Sequence, residues 1–143
     1  FPHHENEIAQ SEAANGKDFS KYWLHNGFLN IDNRKMSKSL GNFFTVREIG
    51  EKYDLQVLRF FMLSAHYRSP LNFSDDLMES AKNGLERIIT SGAKIRDIIS
   101  NGKDGKVTDA EAKLLDEAKE YITKFEEAMD DDCNTANAIS AVF

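Results

Sequence analysis

The chain has 143 residues, of which 41% are hydrophobic and 29% are charged, and its net charge is -6. This composition is typical of a soluble protein with a real core. No apolar run approaches the about 20 residues that a membrane helix needs. The single cysteine, Cys133, excludes an internal disulfide. We therefore expect a cytoplasmic protein without a membrane partner. Because the chain begins at Phe1 and its last helical pattern stops short, we also expect a segment of a longer protein.

The charge is unevenly distributed. Residues 1–70 carry nine basic and eight acidic side chains, whereas residues 71–143 carry nine and sixteen. Binding depends on local charge and not on the overall sum. The first half can therefore hold a site for phosphate or nucleic acid.

The first elements in chain order are a short helix and a strand pair. Residues 5–14 suit a helix, which Asn15-Gly16 would end. Two aromatic-rich runs, 22–25 and 28–31, flank Asn26-Gly27, and this arrangement indicates a hairpin.

Two further helices are predicted after residue 44. Thr45 and Glu48 have capping-box spacing and open a helix to about Lys52. Asp54 can cap the next helix. Its buried side would contain Leu55, Leu58, Phe61, Met62 and Ala65. Residues 66–73 then read as a connector.

The second half has the pattern of an antiparallel helical pair and the start of a third helix. Ser74 can cap a long helix, and Thr108 with Glu111 forms a second capping box. Asn101-Gly102 and Asp104-Gly105 mark the turn between the two helices. Thr135 would cap the third helix, which follows Asp130-Asp131-Asp132. The apolar stripes, which we interpret as core, are Leu77, Ala81, Leu85, Ile88, Gly92, Ile95 and Ile99 in the first helix, and Leu114, Ala118, Tyr121, Phe125 and Met129 in the second.

The run RKMSKSLGN at residues 34–42 concentrates cations and hydroxyls in one loop. Lys35 and Lys38 could bracket a polyphosphate, and Ser37 and Ser39 supply hydroxyl donors. Gly41 permits a left-handed turn or a close backbone approach. Since the loop has no general base or nucleophile, its chemistry would be stabilisation of charge on a phosphate. The alternative is an ordinary solvated turn.

A possible metal pair lies at the start of the chain. His3 and Glu7 are four residues apart, so on a helix they share one face and could bind one Zn²⁺ together. The alternative is a surface helix pair. Two ligands do not complete a tetrahedral site, and Cys133 lies in a different region of the chain.

Residues 35–39 match the complete KMSKS signature, so the chain resembles class I aminoacyl-tRNA synthetases. That resemblance implies a Rossmann-type nucleotide-binding domain and a loop that closes over ATP. It makes Lys38 the chief contact to the ATP phosphates and Lys35 a supporting cation. We expect the loop to be mobile without ligand.

The segment FPHHENEIAQSE resembles the cysteinyl-tRNA synthetases in particular, as do NFFTVREI, LRFFMLSAHYRSPLNFS and AMDDDCNTANA. The resemblance implies that His3 and Glu7 are zinc ligands, completed by two cysteines upstream. His4 and Glu5 would support the ligands or lie at the helix terminus. Zinc would take the thiolate of cysteine and so reject serine. The HIGH motif and both cysteines are expected upstream of Phe1, so we predict that this chain alone is inactive.

The resemblance implies a mostly α-helical fold with a small α/β part. Residues 1–44 would close the catalytic domain, as the C-terminal edge of a Rossmann-type fold. Residues 45–73 would contact the tRNA stem, and residues 74–143 would begin an antiparallel helical bundle on the anticodon side. In the middle part, Arg47, Arg59 and Arg68 are candidate phosphate contacts, with surface solvation or an ion pair as the alternative.

The function implied by the resemblance is a cysteine–tRNA ligase that uses ATP, Mg²⁺ and Zn²⁺. Cysteine would be activated to cysteinyl-adenylate and then transferred to tRNA(Cys). Two alternatives stay open at this point. One is a cysteine–aminosugar ligase of mycothiol synthesis, and the other is a helical adaptor without catalysis.

Overall fold

The computed structural model describes residues 1–102 and 105–143 and is mostly helical, as expected. No helix in these two ranges is both long enough and apolar enough to cross a membrane. Asp104, part of the turn predicted after the long helix, lies outside the described residues. The helices are α1 (Pro2–Asn15), α2 (Val46–Gly50), α3 (Leu55–Leu63), α4 (Asp75–Asn101), α5 (Asp109–Asp130) and α6 (Thr135–Val142).

A small sheet joins distant parts of the chain. Its strands are β1 (Leu29–Ile31), β2 (Arg34–Lys35) and β3 (Leu71–Phe73), in the order β2-β1-β3. Strand β1 is antiparallel to β2 and parallel to β3. The predicted connector at 66–73 therefore contains a strand. Three residues are too few for an alternation of apolar and polar side chains to indicate it.

The hairpin predicted at Asn26-Gly27 is wrong. Residues 22–25 form no strand, and the hairpin turns instead at Asp32 and Asn33, whose φ angles are 48° and 61°. Both values suit the tight turn that links two antiparallel strands. Gly27 instead makes a tertiary contact, since its N–H donates to the Tyr67 carbonyl at 2.7 Å and its Cα lies against Ser69.

Most helix ends follow the predicted caps. Gly16 adopts φ 63° and ends α1, although α1 begins at Pro2, earlier than expected. Both capping boxes form: Thr45 N donates to Glu48 Oε2 at 2.6 Å, and Thr108 N donates to Glu111 Oε2 at 2.7 Å. These bonds satisfy backbone donors that a helix start leaves unpaired.

The last helix has a different cap from the predicted one. Asn134 Oδ1 accepts from Asn137 N at 3.1 Å, so Asn134 caps α6. The Thr135 hydroxyl instead donates to the Ala65 carbonyl at 3.4 Å. The prediction missed Asn134 because both residue types favour caps and their tertiary contacts decide between them.

The core lies where α3 packs on α4 and the sheet. Its buried members are Tyr53, Val57, Phe61, Phe73, Met78 and Ala81. On α3, Phe61 is buried as predicted, but Leu55 and Met62 are exposed and Val57 takes their place. The predicted face was therefore rotated by part of a turn.

The apolar stripes of α4 and α5 are only partly buried in the described residues. Ile95 and Ile99 are exposed on α4, and the described side chains of α5 include no buried residue. Among the described residues the main helix contacts join α3 to α4 and α5 to α6. The predicted antiparallel pairing of α4 with α5 is not the main packing, and the prediction that both stripes form core is not met here.

Gly27 should tolerate no side chain. A Cβ at this position would collide with the Ser69 carbonyl and lie 2.8 Å from Pro70 N, both of them backbone atoms. We expect Gly27→Ala to lower the free energy of unfolding by about 2–3 kcal/mol, as other overpacked sites do. Urea unfolding of the chain measures this value.

Gly92→Ala is the matched control. A Cβ at residue 92 meets only Arg96 Nη1, at 3.7 Å, so helix propensity should raise stability by about 1 kcal/mol. Equal stabilities of the two variants would contradict the assigned role of Gly27.

The carboxylate of Glu111 should titrate below its usual range. The Thr108 backbone N–H, and then its hydroxyl, donate to this carboxylate and lower the pKa of Glu111 from 4.5. Stability from this bond is therefore complete above pH 4.5 and is lost as pH falls through the lower folded pKa. Carboxyl-selective NMR titration measures that pKa. Thr108→Ala removes the hydroxyl donor but keeps the backbone N–H, so it should raise the pKa only part of the way towards 4.5. An unchanged pKa in that variant would contradict the contribution of the hydroxyl.

Candidate functional site

The lysine-rich loop leaves the sheet at Lys35, the last residue of β2, and then forms a short 3-10 helix, Lys38–Leu40. Ser37 caps this turn, since its hydroxyl accepts from Leu40 N at 3.3 Å. Gly41 ends it with φ 67°. The left-handed turn considered for Gly41 is thus confirmed, and the hairpin fixes the start of the loop.

Asn42 holds the two ends of the loop together. Its Oδ1 accepts from Ser37 N at 2.9 Å, and its Nδ2 donates to the Lys35 carbonyl at 3.2 Å. Asn42 was not among the site residues predicted from the sequence. The feature that could have identified it is a side-chain amide just after a glycine in a polar loop, because an amide can both donate and accept a hydrogen bond.

Both loop lysines rest on aromatic rings. Lys35 Nζ lies 4.3 Å from the centroid of the Phe28 ring, and Lys38 Nζ lies 5.4 Å from that of Phe43. In the part of the chain that the structure describes, neither ammonium group forms an ion pair with a carboxylate. Two exposed cations are therefore available to an anionic ligand.

The loop hydroxyls differ in their availability. Ser37 is half-buried and is engaged as a cap, whereas Ser39 is exposed and its Oγ lies 3.1 Å from Ser37 Oγ. Ser39 can therefore turn towards a ligand with less loss of local structure.

The candidate metal pair lies on the first two turns of α1. His3 and Glu7 are both exposed, but the Glu7 carboxylate accepts from His4 Nδ1 at 2.7 Å. His4 therefore orients Glu7 through Oε2 and leaves Oε1 available to a metal ion. This contact agrees with the supporting role that the resemblance implies for His4.

Aromatic side chains surround these residues. Phe1 stacks on His25 with centroids 4.8 Å apart, and Trp23 lies 5.2 Å from His4. Trp23 and His25 belong to the run interpreted as a strand, so the sequence analysis assigned them to the sheet. Their real surroundings are the start of α1.

The donors present fit part of a zinc site. Imidazole and carboxylate are ordinary zinc ligands, but a structural or catalytic site takes three or four. Within residues 1–102 and 105–143, no group of three His, Cys, Asp or Glu side chains is placed to hold a metal. His3 and Glu7 could thus supply at most two of these ligands.

The two candidate sites are separate in their local contacts. The metal pair is on one helix and the lysines are on one loop, and no hydrogen bond or ion pair within the described ranges joins α1 to residues 34–42.

The three arginines considered as phosphate contacts are all exposed, but one of them has a carboxylate partner. Arg68 Nε donates to Asp132 Oδ2 at 2.6 Å, whereas no ion pair is found for Arg47 or Arg59 among the described residues.

Comparisons with known proteins cover the whole chain. Residues 1–83 match the family model of the class I (C) tRNA synthetase catalytic domain, and residues 124–143 match the DALR domain. All 143 residues align with cysteine–tRNA ligases from Lachnospira eligens at 68% identity, Clostridioides difficile at 57% and Geobacter metallireducens at 58%. The chain spans only 30%, 31% and 30% of the lengths of these relatives. By the catalytic-domain match, which includes more than half of its residues, the chain belongs to the cysteinyl-tRNA synthetase family of class I.

Proposed function

We propose that this chain is part of a cysteine–tRNA ligase, which activates cysteine with ATP and transfers it to tRNA(Cys). The observation that carries the proposal is the similarity of all 143 residues to cysteine–tRNA ligases, together with two KMSKS-loop lysines that rest on aromatic rings. The names of these relatives do not favour the aminosugar ligase or the adaptor. The protein would work in the cytoplasm.

The loop would act on the leaving group of the first step. A carboxylate oxygen of cysteine attacks the α-phosphorus of ATP, and the bond from that phosphorus to the bridging oxygen of pyrophosphate breaks. Lys38, supported by Lys35, would stabilise the negative charge that develops on the pyrophosphate, which leaves as its Mg²⁺ complex. Ser39 would add a hydrogen bond to the phosphates.

Asn42 would preorganise this loop. Because its side chain bonds Ser37 N and the Lys35 carbonyl, it limits the shapes available to residues 35–42. A loop that is ordered before binding loses less entropy when it meets ATP.

His3 and Glu7 would hold the zinc ion, and His4 would keep Glu7 oriented. When bound, zinc supplies a Lewis acid that favours thiolate over hydroxyl ligands and so selects cysteine. Two further ligands and the HIGH motif would come from the upstream part of the enzyme. For this reason we propose that the chain alone does not activate cysteine.

The parts of the chain after residue 44 would contribute to tRNA binding. Residues 1–44 would be the end of the Rossmann-type domain, residues 45–73 the stem-contact region and residues 74–143 the start of the helical domain. Arg47 and Arg59 are exposed and would meet backbone phosphates in the middle region.

Removal of the Lys38 ammonium should slow adenylate formation. We expect Lys38→Ala in the full-length enzyme to lower kcat of cysteine-dependent ATP–pyrophosphate exchange by about 100-fold, the size typical of a lost transition-state contact. Lys21→Ala is the matched control, because Lys21 is also exposed but lies outside the loop. A Lys38→Ala enzyme within twofold of the parent would refute this role.

Zinc retention should depend on His3 and Glu7. We expect full-length His3→Ala and Glu7→Gln to retain much less than one zinc ion per chain after dialysis, as measured by elemental analysis. Glu12→Gln, which changes an exposed carboxylate further along α1, should retain it. His4→Ala should weaken zinc affinity by about 10–100-fold, as loss of a group that supports a ligand does. Full zinc content in both ligand variants would contradict the assignment.

A further inference from the structure

One carboxylate joins the segment after α3 to the turn between α5 and α6. Asp132 accepts from the Tyr67 hydroxyl at 2.6 Å, from Arg68 Nε at 2.6 Å and from Arg68 Nη2 at 3.2 Å. Arg68 Nε also lies 2.9 Å from the Tyr67 hydroxyl. We call Tyr67, Arg68 and Asp132 the Asp132 lock.

The turn that carries Asp132 has an unusual backbone conformation. Asp132 and Cys133 have φ angles of 57° and 55°, a left-handed conformation that residues with a Cβ rarely adopt. The neighbouring Thr135 hydroxyl donates to the Ala65 carbonyl, so a second bond joins the same two segments. His66 Nε2 lies 3.8 Å from Asp132 Oδ2, which is beyond hydrogen-bond distance.

The other side of the connector is attached to the sheet. Gly27 N donates to the Tyr67 carbonyl at 2.7 Å, and Leu71 N donates to the Phe28 carbonyl at 2.9 Å. Phe28 precedes β1, whose hairpin partner β2 ends at Lys35. The Asp132 lock therefore connects the α5–α6 turn to the sheet from which the KMSKS loop leaves.

The lock also joins the two regions that match separate family models. Tyr67 and Arg68 lie within residues 1–83, and Asp132 lies within residues 124–143. Since the lock is a largely exposed ion pair, it contributes little to stability. A bidentate arginine–carboxylate pair does, however, fix the relative orientation of the two segments that carry its side chains.

We propose that Arg68 and Asp132 are positioning residues for the tRNA step: they hold helices α5 and α6 in the orientation that delivers the tRNA end to the adenylate. This inference rests on the proposed function. It assigns Arg68 to an ion pair, which was the alternative given for this candidate phosphate contact. Adenylate formation needs no tRNA and should not depend on the lock.

The ionic state of the lock is constant near neutral pH. The Arg68 guanidinium, and after it the Tyr67 hydroxyl, lower the pKa of Asp132 from 3.8. The carboxylate is therefore charged at every pH at which charging of tRNA is measured.

The chain contains a matched control for the lock. Asp75 accepts from Lys52 Nζ at 2.7 Å and from the Tyr53 hydroxyl at 3.2 Å, so an adjacent cation and tyrosine again share one exposed carboxylate. All three residues lie within residues 1–83, and this cluster stays inside one family region.

The test is a double-mutant cycle in the full-length enzyme. Arg68→Ala, Asp132→Ala and the double variant are compared with Lys52→Ala, Asp75→Ala and their double variant. We expect each lock variant to lower kcat/KM for tRNA in aminoacylation by about tenfold, within the range known for coupling residues, with exchange activity within twofold of the parent. The double lock variant should match the single ones, and the control variants should change neither activity beyond twofold.

Other outcomes overturn the inference. A loss with Arg68→Ala but not with Asp132→Ala would return Arg68 to a phosphate contact, and additive losses would mean independent roles. Equal loss of exchange and aminoacylation would mean a structural role only. Asp132→Asn, which keeps the shape of the side chain, replaces Asp132→Ala if the latter does not fold. Absence of exchange in the parent enzyme would instead overturn the proposed function, and the inference with it.

Discussion

The parallel pairing of β1 with β3 is the constraint on which the rest of the structure depends. It involves only three residues on each strand, yet it brings the segment after α1 onto the core formed by α3 and α4. The pairing requires a close backbone approach just before it, where Gly27 meets Ser69. Since β2 hydrogen-bonds to β1 alone among the described strands, the position of the lysine loop follows from this one contact.

The surroundings of the loop explain how an acidic protein can present a cationic site. The excess of acidic residues lies in the second half, and the two loop ammoniums rest on Phe28 and Phe43 instead of carboxylates. An aromatic face attracts a cation but leaves its charge uncancelled, so the field of both lysines stays available to phosphate. Asn42, which is uncharged, restrains the backbone of the loop between the two lysines.

Local rules predicted what local contacts determine. Thr45 and Thr108 were found from capping-box spacing, and Gly16 and Ser74 from residue type beside a helical pattern, because a cap joins residues only a few positions apart. Features that depend on distant residues were missed or misplaced. The hairpin was assigned to Asn26-Gly27 because an Asn-Gly pair is typical of hairpin turns. The glycine is needed there for a different reason, since the backbone of Ser69 leaves no room for a Cβ at residue 27. The exposed lysines of the loop could be selected from the sequence, whereas the His4 contact to Glu7 depends on side-chain positions that no spacing rule gives.

The two helical parts of the chain are held in different ways, and this difference bears on how they could work together. Helices α3 and α4 meet through buried apolar side chains, which give stability through a force that has no preferred direction. Among the described residues, helix α5 has no buried side chain, and the α5–α6 turn meets the rest of the chain through Asp132 and Thr135. Polar contacts of this kind require particular distances and angles, so they fix an orientation. Because the ion pair of Asp132 is largely exposed and contributes little free energy, it can also break and re-form. The proposed function requires a fixed orientation at this junction more than it requires stability there, because it needs one end of an RNA to be aligned with the KMSKS loop.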